Sequence, residues 1–438
     1  MEYKKIKKQV QGNYFLILGL IMLIFLPAIF LYLNSTWQNE TSPVSSIKPV
    51  PTFIPTSIPI STSTSTFTPT PSPTPSPNIE ELDKEEPSVA PGRVDFDVKN
   101  IEGQLVKHLF NIELIPSPKA AAFSLDGKEI WATSLLNKKR GVSVFDTSNG
   151  RKIKDIDLGG GGGVEIVFSK DGQKAYVSQM ETAKVFEIDT QTKEILRSFD
   201  TQSTWTKELW LSKDNALLYA SNWCGDDVSE IDLESGELVR RIKTVDIPRG
   251  IYVTPDNRYL YIAGFADGEI QKIDLKTGQK EILLHSGGAM RHIAANEKEG
   301  TLYFSDMAKA SIWKLNLETS KVEQFVSTDH NPNTIVLSPD NKILFVSCRG
   351  INASAGNYYI PGPEWGSVLL FDTETGKMLD AIIGGNQPTA LAVSPDGKTL
   401  VFSDFLDNRL EVFEIPDYEV LKQGEGGIAN FYKQYLRK

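Results

Sequence analysis

A short polar turn of the form Ser-x-Asp-Gly recurs about every 42 to 45 residues through most of this 438-residue chain. It stands at 124–127, 169–172, 212–215, 254–257, 338–341 and 394–397, with Asn for Gly in three copies and a degenerate copy at 296–299. Only the step between the last two turns is longer. Behind each turn, at nearly constant distance, an alternating strand ends in Asp or Asn: 142–146, 185–189, 228–232, 270–274, 312–316 and 368–372. A turn and a further strand, such as 237–243, close the unit. Four short strands with period-two alternation in each unit make a small antiparallel sheet. One such sheet cannot bury both of its faces, so copies must stack around an axis. The expected fold is all-β, a seven-bladed β-propeller of four-stranded blades, with seven copies between Pro118 and Leu421. Two segments compete to complete the last blade, 94–114 and 410–421. The Asp-Gly and Asp-Asn turns read as structural, supplying positive φ and side-chain bonds to the backbone. None concentrates the carboxylates that calcium takes.

The strand after each turn resembles the YVTN family of bacterial surface β-propellers. The matching stretches are Tyr176-Val177-Ser178-Gln179, Tyr219-Ala220-Ser221-Asn222, Tyr261-Ile262-Ala263-Gly264 and Tyr303-Phe304-Ser305-Asp306, together with 248–256. That resemblance implies a propeller and a lactonase-like superfamily. It leaves function open, because such relatives include lactonases, lyases and surface proteins without catalysis.

In a propeller the innermost strands line the channel and the residues at their starts line one mouth. Read in register, the first ring of such positions is Lys119, Val164, Lys207, Arg249, Arg291, Asn333 and Thr389. The next is Ala120, Glu165, Glu208, Gly250, His292, Thr334 and Ala390. Lys207, Arg249 and Arg291 fall in consecutive blades and form an arc suited to a carboxylate or phosphate. The alternative is that these cations only pair with Glu165, Glu208, Asp306 and Asp404. An enzyme here needs a general base, for which the candidates are His292 with Glu208 or Glu165; His330 also falls near the rim. The long sixth step inserts 349–366, bringing Arg349, Tyr358, Tyr359 and Trp365 on a proline-stiffened loop suited to binding. The insert reads equally as a lid. Trp131, Trp313 and the remaining tryptophans are expected to fill spaces between blades. Cys224 and Cys348 fall in blades three and six, too far apart for a disulfide, and are expected to be two packed thiols.

Composition bears on partners and topology. The net charge of -10 argues against nucleic acid. The four histidines show no metal-binding spacing, so no metal or other cofactor is expected. Lys4, Lys5, Lys7 and Lys8 precede an uncharged apolar stretch, 14–33, long enough to span a bilayer. Flanking lysines keep residues 1–13 cytoplasmic, and no cleavage site follows. Residues 34–92, rich in Pro, Ser and Thr, read as a disordered, extended stalk, with 93–438 as the extracytoplasmic propeller. The functional expectation is a membrane-anchored, non-catalytic binding or scaffold module for a cell-envelope polymer or surface protein. The alternative is a lactonase- or lyase-like enzyme on a small anionic substrate.

Overall fold

The computed structural model describes residues 105–113, 115–136, 141–353 and 359–423. The expected membrane span and stalk lie outside them, and among the described residues no helix is long and apolar enough to cross a membrane.

The described strands form seven four-stranded antiparallel sheets arranged as the blades of a propeller. Numbered along the chain, the innermost strands are β2 (Pro118–Phe123), β6 (Gly163–Phe168), β10 (Thr206–Leu211), β14 (Pro248–Val253), β18 (Met290–Asn296), β22 (Pro332–Leu337) and β26 (Pro388–Val393). Each runs outward through its blade by hairpins, so the second strands are β3 (Glu129–Ser134), β7 (Lys174–Gln179), β11 (Leu217–Asn222), β15 (Tyr259–Gly264), β19 (Thr301–Asp306), β23 (Ile343–Cys348) and β27 (Thr399–Asp404).

The turns between first and second strands repeat one set of bonds. In blade one, Ser124 Oγ donates to Asp126 Oδ1 at 2.7 Å, and the same carboxylate accepts the Lys128 N–H at 3.1 Å. Ser124 Oγ accepts the Glu129 N–H at 3.0 Å. The pattern recurs at Ser169, Ser212, Thr254, Ser338 and Ser394. The position directly after each Asp is left-handed, as at Gly127 (φ 72) and Asn215 (φ 57). This is why only Gly or Asn stands there.

Burial occurs between blades rather than within one. Tyr176, Val185 and Phe199 of blade two share a cluster with Leu209, Leu211 and Leu218 of blade three. Trp131 is fully buried and meets Phe168 of blade two edge-on at 5.5 Å, as expected of a residue filling the space between blades. Of the two cysteines, Cys348 is buried and Cys224 is exposed, and no disulfide joins them. The expectation of two packed thiols therefore fails for Cys224, which stands on a loop rather than in a strand.

The last blade is completed by the earliest described segment. β1 (Lys107–Glu113) pairs antiparallel with β28 (Arg409–Glu414), giving the order β26-β27-β28-β1. The chain after β28 turns instead into a short helix, α1 (Tyr418–Gln423), with Leu421 buried. Asp380, itself fully buried, accepts the backbone N–H groups of Leu105 at 3.0 Å and Val106 at 2.8 Å, fixing where β1 begins. Ile112 of β1 enters the core with Leu410 and Val412, whereas Leu109 is half exposed. Ile112→Ala is accordingly expected to cost about 2–4 kcal/mol of stability, and Leu109→Ala less than about 0.5 kcal/mol. Equal effects of the two in urea unfolding would contradict closure by β1.

Candidate functional site

Every innermost strand carries an interruption of its pairing at the same place: between Pro118 and Ala121, Gly163 and Ile166, Thr206 and Leu209, Pro248 and Ile251, Met290 and Ile293, Pro332 and Ile335, and Pro388 and Leu391. The two residues inside each interruption are the two rings of mouth positions. A bulge leaves a backbone N–H without its ladder partner. In six blades a hydroxyl on the second strand takes that role. Ser178 Oγ accepts the Glu165 N–H at 3.1 Å and donates to the Lys207 carbonyl of the next blade at 2.6 Å. Ser221 Oγ accepts the Glu208 N–H at 3.1 Å and donates to the Arg249 carbonyl at 2.8 Å. Ser305 does the same for His292 and Asn333, as do Thr133, Ser347 and Ser403 in their blades. Blade four has Ala263 at this position, and there the blades approach differently. A Cβ on Gly250 would lie 2.9 Å from the Ile293 nitrogen and 3.0 Å from the His292 Cα. Glycine is thus required where the hydroxyl is missing. The Tyr-x-Ser stretches of the repeat therefore position the mouth, a role that sequence reading assigned to fold alone.

At that mouth Lys119, Lys207, Arg249, Arg291 and Arg349 are all buried, each under a tenth exposed. Arg349 comes from the loop after β23 and donates through Nη2 to Gln387 Oε1. Burial, then the charges of Arg291, Arg349 and Arg249, hold the Lys119 ammonium well below the ordinary lysine range. Burial, then Arg249, Lys119 and Arg291, do the same to Lys207. These residues feel one another, so the arc expected from blades three to five is part of a wider basic cluster that includes Lys119 and Arg349.

Aromatic rings alternate with the cations. Lys207 Nζ lies 4.7 Å from the centre of the Trp223 ring and 5.9 Å from that of Trp205. The Arg249 guanidinium lies 5.3 Å from Trp223 and 5.5 Å from Phe265. Lys119 Nζ lies 5.4 Å from the centre of the Phe405 ring, against which Tyr359 is tilted at 31° and 6.4 Å. Such contacts stabilise a partly desolvated cation. Trp205 and Trp223 are therefore mouth residues and do not fill interblade space. Their position two places before Lys207, and directly after β11, was the available signal.

The candidate catalytic residues also come together. His292 Nε2 is 3.0 Å from Glu208 Oε1, and both side chains are largely buried. Burial opposes ionisation of Glu208, but His292, its hydrogen bond and Arg291 and Arg249 outweigh it and draw the carboxyl down to about 2. Burial, then the charge of Glu208, pushes Glu165 well above the ordinary carboxyl range. The two carboxyls thus divide into a proton-holding and an ionised member. His292 Nδ1 is buried and has no hydrogen-bond partner among the described residues.

Of the carboxylates offered as partners for the cations, Asp306 instead accepts the Ala289 N–H at 2.8 Å and the Ser286 hydroxyl at 2.6 Å. Asp404 accepts the Gly385 N–H at 2.8 Å and pairs with Arg409 at 3.1 Å. In the inserted loop, Tyr359 is half exposed, Trp365 packs against the core of blade six, and Tyr358 lies outside the described residues. His330, mostly exposed, sits 2.9 Å from Glu364 and ties the loop to the rim. Asp226 also stands on this face, accepting the Ile247 N–H at 2.9 Å.

Fold and mouth together define the chain as a seven-bladed β-propeller with a basic, aromatic-lined opening. A family model described as YNCE-like beta-propeller matches residues 166–354. The chain is 46% identical over 93 residues to Antigen Lp49 of Leptospira interrogans serogroup Icterohaemorrhagiae serovar copenhageni (strain Fiocruz L1-130). That match spans 21% of this chain and 20% of the antigen. Among solved structures, the fold resembles Kuenenia stuttgartiensis Hydrazine Synthase, with a TM-score of 0.58 at 17% identity, over 74% of this chain and 99% of that one. At that identity the likeness concerns the fold alone.

The depressed lysines carry a pH signature. Between their lowered values and the ordinary lysine value, the unfolded chain binds more protons than the folded one, so these two groups make stability rise with pH across that window. Melting temperatures of Lys119→Met and Lys207→Met, compared with the parent from neutral pH toward pH ~10, should show a flatter pH dependence than the parent. Parallel curves would remove the electrostatic strain inferred at the mouth.

Proposed function

We propose that the chain is a non-catalytic binding module that holds an anionic partner at the propeller mouth, the partner being a cell-envelope polymer or a surface protein. The observation that carries this reading is the gathering of Lys119, Lys207, Arg249, Arg291 and Arg349 at one end of a chain whose net charge is -10. Convergent, partly desolvated cations focus potential outward and favour an incoming carboxylate or phosphate. The stretch shared with Antigen Lp49 fits display of the propeller. In this reading the apolar segment 14–33 anchors the chain in the membrane, and the stalk 34–92 holds the mouth away from it.

A second reading has its own support. Glu165 and Glu208 are pushed apart in acidity and His292 stands beside Glu208, an arrangement shared with acid–base pairs in hydrolases and lyases. In that case His292 acts as general base on a small anionic substrate drawn in by the same cations.

The test uses the purified full chain and an Arg249→Ala/Arg291→Ala variant, each incubated with purified cell-wall material at low and moderate salt. Retention that weakens with salt and is lost in the variant is the expected outcome. Retention insensitive to both would place binding on the outer blade edges instead. No retention by either protein, together with turnover of small lactones abolished by His292→Ala, would replace binding with catalysis.

A further inference from the structure

The cations of the mouth are only half of its chemistry. Trp205 occupies the position just before β10 with a left-handed backbone (φ 61), a conformation that a bulky residue rarely adopts. It is held there by the Trp223 N–H, which donates to the Trp205 carbonyl at 2.9 Å. Trp205 is 42% exposed, and its ring is tilted 45° against Trp223 at 5.3 Å. Trp223 in turn meets Phe265 edge-on at 6.4 Å. An aromatic wall thus runs from blade three to blade four, with Lys207 and Arg249 set against its rings. Across the mouth, Tyr359, 51% exposed, is tilted 31° against the buried Phe405, over whose ring the Lys119 ammonium of blade one sits.

An isolated inorganic anion needs the cations and gains nothing from an exposed indole. A ring with an apolar face and an acidic substituent uses both. Resting on the reading of the mouth as an anion-binding surface, we infer that its ligand is an acidic glycan, a sugar ring laid against Trp205 with its acid group taken by Lys207 and Arg249. The exposed Tyr359, with Phe405 and Lys119 behind it, provides a second seat, so the ligand is a chain of at least two such sugars. Single-stranded nucleic acid also combines flat rings with negative charge. It is disfavoured because a chain of net charge -10 gathers these cations at one small opening, whereas a long phosphate backbone needs an extended basic track.

The test follows tryptophan fluorescence and calorimetry of the full chain and of Trp205→Asn with four probes: trigalacturonate, maltotriose, tripolyphosphate and an oligodeoxythymidylate. Asparagine tolerates the left-handed backbone, and an unchanged melting temperature verifies folding of the variant. Trigalacturonate is expected to bind and quench fluorescence, with affinity about threefold to tenfold weaker in Trp205→Asn. Maltotriose should bind far more weakly, and tripolyphosphate should bind without regard to Trp205. Tripolyphosphate binding as tightly as trigalacturonate, with Trp205→Asn equal to the parent for both, would overturn the glycan while leaving the anion-binding mouth intact. Tighter binding of the oligonucleotide than of trigalacturonate would also overturn it. Failure of all three anionic probes would remove the anion-binding reading together with the glycan.

Discussion

The structure depends on a hydroxyl that serves two blades at once. Each innermost strand must break its ladder to turn two residues toward the mouth, and a broken ladder leaves a buried N–H that is costly to strand. Ser178, Ser221, Ser305 and their counterparts accept that N–H and donate to a carbonyl of the next blade. The bond that repairs the bulge is therefore also the bond that spaces neighbouring blades. Position of the mouth side chains and closure of the ring follow from the same contact. Blade four shows the requirement from the other side: without a hydroxyl at Ala263, the strands close onto Gly250 so tightly that no side chain fits.

Hairpin topology then sorts the charge. The Asp turns join first to second strands and third to fourth strands, which places all of them at one end of the propeller. The loops between second and third strands, and those between blades, meet the starts of the innermost strands at the other end. A chain acidic overall can in this way present a basic opening. The arrangement is costly without a ligand, since Lys119 and Lys207 are both pushed toward the neutral form by burial and by neighbouring arginines. Residues that weaken the unliganded protein in this manner are characteristic of sites built for a partner.

Much of this was legible in advance. The spacing of the turns defined seven copies, their strand order and the register that lists Lys207, Arg249, Arg291 and His292 as mouth residues. The proximity of His292 to Glu208 followed from that register because equivalent positions converge on the channel, here across Gly250 of the intervening blade four. Trp205 and Trp223 were not legible as mouth residues. An aromatic residue in a β repeat usually packs between sheets, as Trp131 does, and only loop conformation distinguishes the two outcomes. Cys224 escaped for the same reason: it sits one residue beyond Trp223 on that loop, outside the alternation that makes strand burial readable.

Taken alone, the amino-acid sequence determined the repeating unit, its four strands, the turn chemistry and the number of blades, because these rest on local alternation and on contacts within about five residues. Tertiary structure decided what depends on contacts between distant segments. It placed both competing segments in the last blade, 409–414 as its third strand and 107–113 as its outer strand, with Ile112 in the same core as Leu410 and Val412, and turned the chain after 414 into a helix. It brought Arg349 from an inserted loop into the cationic cluster, set Arg249 of blade four against Trp223 of blade three, and set Lys119 of blade one against Phe405, the ring that Tyr359 meets. Blade three supplies Lys207 with Trp205 and Trp223 by itself, but Arg249, Phe265, Lys119 and Phe405 join these faces only when neighbouring blades pack, because whole blades separate them along the chain.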